Sequence, residues 1–182
     1  LPIDAALAAK GAPVFQANCA QCHELHAPRN LHPIDVKEVG TDPHRVESWT
    51  QSQVDSWKKM AAEYQRKYDA KWNFDDFEKN NGYVAVLLDG VWLRGPYLHN
   101  GSVPSLRDLL NPPEQRPETF YRGYDLYDGK NVGFVSNVPN WNGQPFFKYD
   151  TSLPGNGNFG HLYGTTLPPD QKEALLEYLK TL

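Results

Sequence analysis

Residues 18–26 read NCAQCHELH, and they hold both cysteines of the chain and two of its six histidines. A Cys-x-x-Cys pair serves three chemistries: a thiol redox couple, part of a zinc site, or, with His directly after it, covalent attachment of haem c. A structural zinc site needs four ligands and usually a second close pair of Cys or His; the only short-range partner here is His26. A redox pair opens a helix after a strand, whereas the preceding ALAAKGAPVFQAN reads as helix. The motif therefore reads as haem attachment, with Cys19 and Cys22 forming thioethers to the two vinyl groups and His23 meeting the iron from one side. Two cysteines leave no means of attaching a second covalent haem.

Working outward, Asp4 can cap a first helix running to about Cys19, with Leu7 and Phe15 on one face and Gly11 beside them. At the other end PPDQKEALLEYLKTL opens with Pro168 and Pro169 and repeats Leu175, Leu179 and Leu182 with Tyr178. A small residue and an aromatic thus share the face by which the first helix would meet the last. Between them, SWTQSQVDSWKKMAAEYQRKYDAKW predicts a long helix with Val54, Trp57, Ala61, Tyr64 and Tyr68 on one stripe. A later helix is capped by Ser105 with Asp108 at its third position. Residues 111–160, rich in Pro, Gly, Asn and aromatics, predict a large structured loop or a small β-excursion.

The whole chain has 182 residues and a net charge of −4, with five Trp, ten Tyr, eight Phe, fourteen Gly and fifteen Pro. Its mean hydropathy is −0.65. This suits a loop-rich shell around an apolar centre that a haem would supply. No basic run points to nucleic acid or anionic membrane, and no apolar stretch approaches the length of a membrane span. Covalent haem attachment takes place outside the bacterial cytoplasm, so a periplasmic or otherwise exported location is expected, with the chain a processed or excised form.

Candidates for the sixth iron ligand can be weighed residue by residue. His26 is too close to His23 to reach the opposite face, and His32 and His44 sit in Pro-bounded polar loops. Met60 lies near the apolar stripe of the long helix, where methionine is most often a core filler, though it stays a candidate. His99 follows Tyr97 in a Gly/Pro-rich loop and also stays open. His161 lies on GNGNFGH, where Gly155, Gly157 and Gly160 permit tight turns close to a flat cofactor, and its loop leads back through Tyr163 and Gly164 to the last helix. Trp92, Arg94 and Tyr97 are candidate haem-edge or propionate contacts. A carbonyl near Pro28 or Pro33 is the expected acceptor for the other ring nitrogen of His23. DLYDGKN has the oxygen content to host a calcium ion, with nothing else in its favour.

The two ends resemble the class I cytochrome c fold, which implies a mainly α protein with a helical core around one haem c and long irregular insertions. The chain is read as a single monohaem domain over 1–182, with 111–160 inserted. GTDPHR at 40–45, GPYLHNGSVPSLRDLL at 95–110, RPETFYRGYDLYDGKNVGF at 116–134 and GNGNFGHLYGTTLPPDQKEALLEYLKTL at 155–182 together resemble the electron-transfer haem domain of di-haem cytochrome c peroxidase-like and rubber oxygenase-like proteins. In the peroxidase type a methionine ligand would fall at Pro113, so that ligand is missing from its place. The rubber oxygenase type implies a distal histidine, matched here by His161, and places His99 near the haem without binding iron. The resemblance implies a bis-histidine electron carrier rather than an enzyme, passing single electrons between redox proteins. The rivals are a haem peroxidase or oxygenase with an open iron, and a haem domain docked on or cut from a larger oxidoreductase, with 111–160 as docking surface.

Overall fold

The computed structural model describes residues 1–71 and 76–182. Helix α1 (Ala5–Asn18) begins where the Asp4 carboxylate accepts the Leu7 N–H at 3.0 Å, satisfying one of the N–H groups a helix start leaves unpaired. It is followed by the one-turn α2 (Ala20–His23), which carries Cys22 and His23. Strand β1 (Pro33–Asp35), the one-turn helices α3 (Val36–Val39) and α4 (His44–Glu47), and the long α5 (Gln51–Tyr68) come next. Strand β2 (Gly82–Val84) returns antiparallel to β1. The short α6 (Leu106–Leu109) starts at Ser105, whose hydroxyl oxygen accepts the Asp108 N–H at 3.1 Å.

The expectation of a mainly α protein is overturned. Four two-stranded antiparallel sheets stand among the described residues. Besides β1–β2 they are β3 (Thr119–Arg122) with β8 (Phe147–Asp150), β4 (Tyr127–Asp128) with β5 (Gly133–Phe134), and β6 (Asn140–Trp141) with β7 (Gln144–Pro145). Several of the helices are single turns. The reason lies in side chains: aromatic and β-branched residues favour a pleated surface where they can pair across strands. Phe120 faces Tyr149 in register, and their rings stack with centroids 5.0 Å apart. Asn142 and Gly143 both have positive φ, 49° and 78°, as a two-residue hairpin turn requires.

The last helix, α7 (Pro169–Leu179), has Pro at its first turn, where the missing N–H costs nothing. It packs along α1 in the most extensive contact between two elements. Gly11 makes that approach feasible: a Cβ there would lie 2.0 Å from the carbonyl oxygen of Ala174. One turn on, Phe15 meets Tyr178 with ring centroids 5.2 Å apart. Leu175, Leu176, Val103, Leu106 and Val132 complete the dry centre.

Helix α5 differs from its expected packing. Val54 is its buried residue, while Trp57, Tyr64 and Tyr68 of the same stripe, and Met60 beside it, are exposed. Periodicity marks which face is apolar and does not supply a partner for it. The sequence stretch that predicted this helix ends at Trp72, outside the described residues.

Candidate functional site

A cavity of about 450 Å³ opens between α2, β2, the 88–99 loop, α6 and α7, within the size range of cofactor sites. Leu88, Val91, Leu109, Leu175 and Leu179 make much of its wall apolar, and Cys19, Cys22 and His23 stand along one side. The two cysteines are free thiols. Burial, with the neighbouring Cys22 adding to it, pushes the Cys19 thiol up to about 11. A disulfide-exchange centre relies on a thiolate near neutral pH, which the burial of Cys19 disfavours. Among the described residues no group of three or more His, Cys, Asp or Glu is placed to hold a metal ion, so no zinc cage of such residues stands among them. In DLYDGKN both Asp128 oxygens already accept N–H groups, from Lys130, the Asn131 backbone and the Asn131 side chain.

His23 is oriented from a distance. Its Nδ1 lies 2.8 Å from the carbonyl oxygen of Val86. A carbonyl only accepts, so Nδ1 carries the proton and Nε2 keeps a free lone pair. This corrects the expectation of an acceptor near Pro28 or Pro33. The true acceptor follows β2, and the pairing of β2 with β1 fixes where it sits.

His161 stands opposite His23 across the cavity, their ring centroids 6.3 Å apart. A metal bonded at about 2 Å to one nitrogen of each ring would set the centroids about 6 Å apart. The loop that brings His161 here is pinned by backbone. Its N–H donates to the Val39 carbonyl at 2.8 Å, and a Cβ on Gly160 would lie 2.3 Å from the carbonyl carbon and oxygen of Gly40. Asp42, nearly fully buried, accepts the Gly157 N–H at 3.0 Å and the His44 backbone N–H at 2.9 Å. GTDPHR is therefore the bracket of the histidine loop. His161 itself has φ of +46°, a left-handed conformation that a side chain-bearing residue keeps only when its surroundings enforce it. Burial foremost, then the nearby His23, pushes its pKa down to about 4. The ring is thus neutral, and its Nδ1 is buried without a hydrogen-bond partner among the described residues.

The remaining candidates separate clearly. Tyr97 lines the cavity and is held by its hydroxyl, whose single proton is shared between the Val91 and Val132 carbonyls at 3.0 and 3.2 Å. Arg94 also lines it, its guanidinium donating to the carbonyls of Leu87 and Asp89. Trp92 is not a wall residue: it packs edge-on against Tyr127 at 6.0 Å. Met60 is 56% exposed on α5 and does not line the cavity. His99 does line it, stacked on Tyr83 at 3.8 Å with its Nε2 buried and unpartnered. Tyr83 and Arg116 were absent from the sequence reading of the site, since neither belongs to a ligand motif.

Residues 82–121 match the family described as RoxA-like, cytochrome c-like. This RoxA-like segment contains Val86, Arg94, Tyr97 and His99, so it builds one wall of the cavity, and it supports the resemblance to a c-type cytochrome domain. Two curated proteins of Sinorhizobium fredii (strain NBRC 101917 / NGR234), both called uncharacterized, are similar to the chain. Protein y4iJ is 32% identical over 238 residues, covering 99% of this chain and 39% of its own length. Protein y4iM is 35% identical over 159 residues, covering 73% of this chain and 34% of its own length. The chain thus spans well under half of either relative.

The residues present fit a haem c. They offer a mostly apolar slot, two thiols and an imidazole along one side, and a second neutral imidazole facing the first. No helix among the described residues is long and apolar enough to cross a membrane.

Proposed function

We propose that the chain is a single monohaem domain that carries one electron at a time between redox proteins, in the periplasm or another exported location. Cys19 and Cys22 would hold the haem covalently, and His23 and His161 would supply nitrogen ligands to its iron. The observation that carries the reading is the facing pair of imidazoles 6.3 Å apart across an apolar cavity. A bound haem supplies the change between ferric and ferrous iron, and two nitrogen ligands leave no open position for peroxide or dioxygen. Val86 keeps the His23 lone pair aimed away from its own carbonyl. The apolar wall excludes water, and Arg94 and Tyr97, which line the cavity, would supply propionate or haem-edge contacts. Two imidazoles favour ferric iron more than an imidazole and a thioether do, so the potential is low for a c-type cytochrome.

The test is the ferric absorption spectrum from the visible into the near infrared, with magnetic circular dichroism. The expected result is a low-spin bis-imidazole signature that is lost in His161→Ala. A high-spin spectrum, or hydrogen peroxide turnover by the protein, would put the enzyme reading in its place. A sulfur-to-iron band would transfer the ligand role to Met60.

The partial coverage of the relatives favours a second reading for the biological context: the same carrier acts inside a longer protein. Electron transfer to an attached domain then replaces diffusional encounter, with the ligand chemistry unchanged.

A further inference from the structure

We infer that Arg116 is the positioning residue of His161 and that its buried positive charge raises the reduction potential of the iron bound there. The inference rests on the bis-histidine reading above.

Arg116 is 5% exposed. Its guanidinium donates only to backbone carbonyls: Nε to Asn111 at 3.0 Å, Nη1 to Asn158 at 2.5 Å and Gly160 at 2.9 Å, Nη2 to Leu109 at 3.2 Å and His161 at 3.4 Å. Five carbonyls match the five N–H groups that the side chain owns. Three belong to the histidine loop and two to the end of α6 and the turn after it, where Leu109 and Leu110 line the cavity. One rigid, planar group therefore ties the ligand loop to the cavity wall. Lysine, with three donors on a flexible stem, cannot reproduce that fork.

The charge is the second half of the inference. Carbonyls satisfy the hydrogen bonds and leave the charge in place, and among the described residues no carboxylate forms an ion pair with Arg116. Asp108 and Glu114 act on it from farther off; Asp108 is itself hydrogen-bonded by the Ser105 hydroxyl at 2.5 Å. A buried charge is weakly screened by salt. The charge sits against the ligand loop itself, since Nη1 bonds the Gly160 carbonyl at 2.9 Å and Nη2 the His161 carbonyl at 3.4 Å. Ferric iron carries one more positive charge than ferrous, so a fixed cation next to the ligand disfavours the ferric state and moves the potential upward.

The test uses the haem-loaded protein with Arg116→Lys, which keeps the charge and loses the fork, and Arg116→Gln, which loses both. Two quantities are read: the mid-point potential, and the rate at which carbon monoxide replaces a ligand on the reduced iron. Both variants should bind carbon monoxide faster by about tenfold or more, the factor for losing one charge-assisted hydrogen bond. The potential should fall in Arg116→Gln and stay near the parent value in Arg116→Lys. Parent-like carbon monoxide rates in both variants would overturn the positioning role, and equal potentials in both would overturn the charge role. The parent protein and His161→Ala are measured first. If their spectra do not differ, the ligand reading fails and this inference with it; if they do, a negative result with Arg116 leaves that reading standing. Should Arg116→Gln not yield folded protein, the carbon monoxide rate of Arg116→Lys decides the positioning role and Arg116→Met replaces it for the potential.

Discussion

The Nδ1 of His23 lies 2.8 Å from the carbonyl oxygen of Val86, 63 residues further along the chain. The His23 imidazole is thus held by main chain, and no side chain needs to be retained for the purpose. The Val86 side chain is 47% exposed, so Val86→Ala should change stability by less than about 0.5 kcal/mol and leave the ferric spectrum as it was. Thermal unfolding and absorption measured on the same sample check this; a spectral change would show that the side chain, and not the carbonyl, orients the ring.

Replacing both Cys19 and Cys22 with Ser should leave haem that acidified organic solvent extracts, whereas the parent protein should keep its haem through a denaturing gel. In the haem-free protein, burial holds the Cys19 thiol up near 11. Alkylation at neutral pH should therefore be slow and should accelerate on unfolding. Rapid labelling of Cys19 in the folded apoprotein would return the redox-couple reading to contention.

Gly11→Ala sets two effects against each other. Alanine favours the helix by about 1 kcal/mol over glycine, but its Cβ would lie 2.0 Å from the Ala174 carbonyl oxygen and 2.8 Å from the Tyr178 Cβ. Backbone cannot swing aside as a side chain can, so the steric cost wins. A net loss of about 1–3 kcal/mol is expected, read from urea unfolding of the haem-loaded protein. Unchanged stability would mean that α1 and α7 can separate slightly at no cost.

Asp42 provides a pH signature. Burial pushes its pKa up, but N–H groups of His44 and Gly157 and the His44 ring outweigh that and hold it below the ordinary value of 3.8. A depressed carboxylate contributes stability above its unfolded pKa and loses it as the pH falls from there through the folded value. Stability should thus drop below about pH 4 through this group. Asp42→Asn cannot serve all three donors; it should cost about 1–3 kcal/mol near neutral pH and flatten that part of the acid limb. Denaturant titrations at a series of pH values test both statements.

Local chemistry decided much of this protein. The run NCAQCHELH was enough to raise haem attachment as the reading, because it sets two cysteines and a histidine within five residues. Gly11, Phe15 and Tyr178 foretold the contact of the first and last helices, since close packing needs a small residue where backbones cross. Asp4 and Ser105 foretold the starts of α1 and α6. The β-excursion expected within 111–160 is there, as three two-stranded sheets. The mainly α expectation failed there, because short strands of two to four residues are too brief to show periodicity.

Other features exist only through long-range placement. Val54, Trp57, Ala61, Tyr64 and Tyr68 made a convincing stripe, yet burial depends on what else the chain brings to that face. The Val86 carbonyl could not be foreseen, since every residue owns such an acceptor and only the pairing of β1 with β2 selects this one. Arg116 was a letter in a resembling segment until five carbonyls from two separate turns converged on it. Residue identity fixed which groups could bind a haem; the meeting of distant backbone segments decided which of them face one another.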